Sequence, residues 1–197
     1  MTQPAITPAR RLTARVVKLL VAGAEHNADP LGFVSAPCPR LTLSFEGIDG
    51  SRHMGWTRGA DARVPWYKRG TPMRNTRHVS LVSVEDLAEI AAAMGLAEVK
   101  PEWLGANCVV EGLPNFSFLP MGTRLFFPGK AVLAAEGYNK PCTGPGRVIA
   151  GAVGTGSPLD FPKAAKYRRG ITASVERPGE IVEGDEIEVA VPEQWVW

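Results

Sequence analysis

The sequence predicts a mainly β fold with a few helices, closed as a barrel or a sandwich. Three observations carry this. From residue 107 onward, short β-like runs recur: "NCVVEGL", "TRLFF", "AVLAAEG", "ITASVE" and "EIEVAVP". They are separated by Pro/Gly turns at 112–114, 128–129, 141–146, 178–179 and 184, the spacing of a strand-rich domain. A single stretch, after Ser83, starts a helix cleanly. The chain has 197 residues, 45% hydrophobic and 21% charged, with no internal repeat, which suits one globular domain that buries its own core.

Taken in order, residues 1–11 read as an N-terminal tail and residues 12–197 as one domain. Residues 12–22 form a first strand, because Val16, Val17 and Val21 are β-branched. Arg10, Arg11, Arg15 and Lys18 without an acid give the N-terminus the bias of a transit peptide, but serine is absent and the strand reading is preferred. "RLTLSFEG" (40–47) alternates Leu41, Leu43 and Phe45 like a half-buried strand. Residues 48–76 show no sustained period and are rich in Gly, Arg and Trp; a loop this long inside a compact domain is functional or disordered. Trp56, Trp66 and Tyr67 argue against disorder.

"RHVSLVS" (77–83) returns to strand character. Ser83 then caps a helix, with Asp86 three residues on and Leu87, Ile90, Ala91 and Met94 along one face; Gly95 stops it. A short helix starts at Pro101, and "DFPKAAKYRRG" (160–170) holds one helical turn or two.

Composition narrows the function. A net charge of +2 argues against bulk binding of nucleic acid. No run reaches the roughly 18 apolar residues of a membrane span. Cys38, Cys108 and Cys142 are odd in number and widely spaced, and His26, His53 and His78 are scattered. Neither a disulfide framework nor a zinc site is indicated, and reduced thiols point to the cytoplasm.

"EGYNKPCTGPG" (136–146) is the segment with chemistry in it. Pro141, Gly144 and Gly146 dictate backbone geometry around Cys142, and Lys140 and Arg147 put cations on both sides. Cations favour the thiolate, which attacks electrophiles or ligates soft metals. Packing alone is an equal reading for Cys142, and the better one for Cys108. A Cys142 nucleophile would need a base, and His53 is the candidate. Lys140, Arg147, Lys166, Arg168 and Arg169, with Arg58, Arg63 and Arg77 of the long loop, are either solvated surface or a phosphate clamp.

The ordered segments "RHVSLVSVEDL", "LGANCVVEGL", "LPMGTRLFF", "NKPC" and "YRRGITASVERPGEIVEGDEIEV" resemble the MOSC domain, the C-terminal domain of molybdenum cofactor sulfurases, over residues 12–192. The resemblance implies a MOSC-like β-barrel and a bound molybdenum cofactor, a molybdopterin. It makes Cys142 the metal ligand and Asn107 a cofactor contact. An arginine of the relatives falls near Gly105 or Ala106 here, so Arg168, Arg169, Arg77 or Lys140 would take over the grip on the pterin phosphate. It also implies an oxidoreductase acting on a small-molecule substrate, an N-hydroxylated purine or an amidoxime. His53 would serve as a proton donor or substrate contact. The chain carries no pyridoxal-phosphate domain and no iron–sulfur motif, so electrons would come from a separate reductase. Two other readings stay open: a non-catalytic carrier of the cofactor or its sulfur, and a metal-free cysteine enzyme.

Overall fold

The computed structural model describes residues 5–22 and 34–195; residues 1–4 of the expected tail and His26 lie outside them. A two-residue strand, β1 (Ile6–Thr7), leads into β2 (Arg10–Val21), which starts two residues earlier than its sequence pattern predicts. Next come β3 (Ala36–Pro37), β4 (Arg40–Ser44) and β5 (Gly47–Ile48). Leu41 and Leu43 are buried as expected, but the alternation stops there: Phe45 sits in the β4–β5 turn and is exposed. The long loop contains a small antiparallel hairpin, β6 (Thr57–Gly59) and β7 (Pro72–Arg74), which its composition hides.

Strand β8 (Val79–Ser83) runs into helix α1 (Val84–Met94). The Ser83 side chain accepts from the Asp86 N–H, and Gly95 closes the helix in the left-handed region at φ 67°. A 3₁₀ turn over Pro101–Leu104 precedes β9 (Cys108–Glu111). Because β8 and β9 pair in parallel, a crossover is required between them, and α1 supplies it. Strands β10 (Arg124–Phe126) and β11 (Val132–Tyr138) follow, then helices α2 (Thr143–Val153) and α3 (Asp160–Ala164). The chain ends with β12 (Ile171–Arg177), β13 (Gly179–Val182), β14 (Glu186–Val191) and β15 (Gln194–Trp195).

Seven strands close into a barrel in the order β14-β10-β11-β12-β8-β9-β2, because β14 pairs with both β10 and β2. Closure removes the open edges that a sheet must otherwise protect. Successive strand residues point to opposite faces, so neighbouring apolar residues serve two cores. Leu19, Leu81 and Cys108 fill the barrel, while Leu20, Val82 and Val109 face outward to meet Ile90, Ile149 and Phe161 of the helices. That alternation fixes the helical layer on one side of the barrel wall.

Candidate active site

A cavity of about 390 Å³, a volume suited to a small ligand, lies against the outer face of the barrel wall beside β8 and β12: Ser80 and Thr172 line it, while their neighbours Val79, Leu81, Ile171 and Ala173 point into the barrel. Arg77 before β8, Ser80 on β8, Asn139 after β11, Cys142 before α2 and Arg169 before β12 all line it. The long loop contributes His53, Arg58, Asp61 and Arg63.

The turn expected at 141–146 is in fact a helix start. Cys142 has extended backbone (φ −138°, ψ 174°) and caps α2. Pro145 is the third helical residue, where no N–H is needed for the intrahelical ladder. Gly146 has a packing reason: a Cβ there would lie 2.2 Å from the Pro158 carbonyl oxygen. Glycine lets α2 rest on the segment before α3. Cys142, half-buried, thus stands at the positive end of an eleven-residue helix and faces the cavity.

The inner wall is one hydrogen-bonded network. Arg77 donates through Nη2 to Asn139 Oδ1 (2.8 Å) and through Nη1 to Thr172 Oγ1 (3.4 Å). Asn139 Nδ2 donates to Ser80 Oγ (3.2 Å), which also receives Arg169 Nη1 (3.5 Å). Arg169 Nη2 donates to the Leu104 carbonyl at 2.6 Å. Desolvation pushes both guanidiniums down to about 10, helped for Arg77 by Arg63 and Arg58; for Arg169 the Arg77 and Arg63 charges act the same way against Cys142. The turn carrying Arg169 is itself anchored: the Gly170 N–H donates to Ser117 Oγ (2.7 Å), and that hydroxyl donates to Asp86 Oδ2 (2.7 Å).

Asn107 is buried and structurally engaged. Its Oδ1 accepts from the Ser80 N–H (2.9 Å) and its Nδ2 donates to the Leu20 carbonyl (3.3 Å), tying β8 to β2 beside the cavity.

The long loop is fastened over the opening from two sides. Asn75 Nδ2 donates to the carbonyls of His53 (2.9 Å) and Gly55 (3.1 Å), and Asn75 Oδ1 accepts from the Arg77 N–H (3.1 Å). His78 Nδ1 accepts from the Val175 N–H (3.3 Å), which leaves Nε2 to donate to the Gly55 carbonyl (3.3 Å). His53 is open to solvent on one side. Packing on the other, with Arg52, Arg77 and Arg63, holds its imidazole down to about 4, so it is neutral at pH 7. Its Nε2 accepts from Arg52 Nε (3.3 Å), which leaves Nδ1–H as the donor.

The structure therefore brings Cys142, His53, Asn107, Arg77, Lys140 and Arg169 to one cavity. It separates Arg168 from Arg169: Arg168 turns to α1, with Nη2 2.5 Å from Glu89 Oε2 and Nη1 3.9 Å from Asp86 Oδ1. The two arginines sit in the turn before β12, and only Arg169 reaches the site. Trp56, Trp66 and Tyr67 are exposed and do not line the cavity; Trp56 stacks on Phe45 (6.3 Å, 21°). Cys108 is fully buried and burial pushes its thiol up, the behaviour of a packing cysteine. Sequence reasoning passed over Ser80, Asn139 and Asp61. Asn139 stands in "NKPC" and was within reach of that motif; a serine in mid-strand gives no signal.

A family model for the MOSC domain matches residues 36–188. The chain is 42% identical over 182 residues to a Bacillus subtilis (strain 168) protein named putative metal-sulfur cluster biosynthesis protein YuaD, covering 91% of this chain and 92% of that one. A crystal structure of the B. subtilis YuaD protein superposes with a TM-score of 0.86 at 41% identity, over 93% of this chain and 98% of that chain. YiiM from Geobacillus stearothermophilus shares the fold at 14% identity and a TM-score of 0.58, over 93% of this chain and 75% of its own.

Proposed function

The chain belongs to the MOSC domain family, and from that premise we propose that its cavity binds a molybdenum–pterin cofactor and reduces N-hydroxylated small molecules. One observation carries the reading: a single half-buried thiol, Cys142, faces a cavity walled by arginines. The residues fit such a group in two respects. Among the described residues no three His, Cys, Asp or Glu side chains cluster, so the protein offers one soft donor, which suits a metal that arrives with sulfur ligands of its own. Arg77 and Arg169 line the same cavity with only neutral hydrogen-bond partners, which leaves their charge for an anionic group such as a phosphate.

When bound, the cofactor would supply removal of oxygen from an N–O bond. The reduction consumes two electrons and two protons, yields the amine or amidine and water, and draws its electrons from a separate reductase. Cys142 offers the sulfur ligand on a rigid helix end. Arg77 and Arg169, preset by Ser80 and Asn139, offer donors to phosphate. His53, being neutral, presents Nδ1–H as a hydrogen-bond donor at the mouth and holds no acidic proton at pH 7. The loop pinned by Asn75 and His78 restricts water.

The name of the YuaD relative supports a second reading, in which the same thiol carries metal or sulfur for cluster assembly. Metal and pterin analysis of protein from a cofactor-producing host, followed by reduction of an N-hydroxylated purine with a chemical electron donor, separates the two. Bound molybdenum with turnover is expected; bound cofactor without turnover favours the carrier.

A further inference from the structure

The cavity has two basic groups of different construction. The inner pair, Arg77 and Arg169, is fixed by neutral partners on the barrel: Asn139, Thr172, Ser80 and the Leu104 carbonyl. The outer pair, Arg58 and Arg63, belongs to the β6–β7 hairpin and shares one carboxylate. Asp61 Oδ2 accepts from Arg63 Nη1 (2.8 Å) and from Arg58 Nη1 (3.4 Å), and Asp61 Oδ1 accepts from the Arg63 N–H (2.8 Å). Asp61 is the one carboxylate lining the cavity among the described residues. Arg58 Nε is buried with nothing to donate to.

A phosphate monoester is matched by the inner pair alone. The outer pair then carries more positive charge than Asp61 balances, and the partly buried Arg58 has its Nε covered and unpartnered. Desolvation, and after it nearby charges that include Arg63, hold the Arg77 guanidinium and the His53 imidazole below their ordinary values. A second anion would relieve the excess charge.

We infer that Arg58 and Arg63, spaced by Asp61, form an anion subsite that makes the substrate of this cavity an anionic N-hydroxylated compound, one bearing a carboxylate. The inference rests on the cofactor reading for the word substrate, but the subsite itself does not. Arg58 and Arg63 would grip the carboxylate by charge-assisted hydrogen bonds and leave the N–O end toward Cys142. Asp61 is a positioning residue: it holds the two guanidiniums apart and competes with the incoming anion.

The test uses a pair of unreactive probes, 4-carbamoylbenzoate and 4-methylbenzamide, titrated calorimetrically into the full chain as purified from a cofactor-producing host. The carboxylate should bind at least tenfold tighter in 50 mM salt, and most of that preference should vanish in 500 mM salt. Arg58→Gln and Arg63→Gln should each collapse the preference several-fold. Asp61→Asn should tighten the carboxylate and leave the neutral probe behind, an effect that loss of folding cannot imitate. Equal affinity for the two probes overturns the subsite, as does a preference that survives both arginine variants or an Asp61→Asn that binds the carboxylate no better. Turnover separates this from the cofactor reading. Reduction of 4-methylbenzamidoxime as fast as 4-carboxybenzamidoxime leaves the cofactor reading standing and sinks the subsite. A carboxylate preference in protein that holds no molybdenum does the reverse.

Discussion

His78 has one ring proton and two partners that dictate its place: Nδ1 takes the Val175 N–H, so Nε2 must carry the proton toward the Gly55 carbonyl. Burial holds this imidazole below its ordinary 6.5, and His53 is held down to about 4. A base whose basicity is depressed by folding is protonated first in the unfolded chain. Stability that His53 contributes is therefore full above pH 6.5 and is lost as pH falls from there toward 4, and His78 acts in the same sense. Asp86, pushed up by burial despite its bonds to Ser117, works in the opposite sense. Thermal melts of the wild type and of His53→Gln between pH 7 and 4 isolate the histidine. The wild type should lose melting temperature more steeply than the variant across this window; parallel curves would mean that His53 titrates alike in both states. The adjacent arginines make a second prediction. Arg169→Ala should lower pterin retention several-fold and leave the Leu104 carbonyl unsatisfied, at a cost of about 1–3 kcal/mol, with Arg169→Lys between the two. Arg168→Ala should cost under about 1 kcal/mol and retain the pterin fully, because its contacts are with α1. Pterin fluorescence of the purified proteins reads both, and equal retention in all variants would leave Arg169 with no grip on the cofactor.

At the scale of the element, α2 decides where the thiol stands. Gly146→Ala places a methyl group against the Pro158 carbonyl, and backbone on both sides must give way. The expected loss is about 1–3 kcal/mol in chemical denaturation, together with weaker metal retention as the Cys142 end of the helix tilts. Gly151→Ala, where a Cβ would meet nothing within 4 Å, should be stable, and a Gly146→Ala protein as stable as that control would contradict the close approach. The same helix marks what the sequence conceals. Gly144-Pro145-Gly146 carries turn chemistry, yet the turn signal is spent on starting a helix, with proline in the first turn and glycine at a contact 12 residues away. The cap at Ser83 and the stop at Gly95 were legible because both act within four residues. Strand β13 was not, since Pro178 and Gly179 read as a turn while its pairing with β4 depends on residues 136 to 142 positions away, from Gly179 on Leu43 to Val182 on Arg40.

For the whole molecule, the strand-rich class followed from period-two patterns, whereas barrel closure depends on β14 meeting both β2 and β10, which no local pattern encodes. The site obeys the same division. Cys142 stood out through its own neighbours, Asn139 among them; its companions Arg77 and Ser80 around β8 and Arg169 before β12 arrive from two other segments that only the closed barrel brings beside it. Within the described residues no helix is long and apolar enough to cross a membrane. The central claim is that this cavity holds a molybdenum–pterin group through the Cys142 sulfur. X-ray absorption at the molybdenum edge, on wild type and Cys142→Ser from the same cofactor-producing host, tests it most directly. The variant is nearly isosteric and should fold normally and keep some pterin. It should lose one sulfur from the metal shell and most N-hydroxyl reduction, because a serine hydroxyl is a harder, far less acidic donor. Cys38→Ser and Cys108→Ser should keep both. A metal shell and a reduction rate unchanged in Cys142→Ser would contradict the assignment.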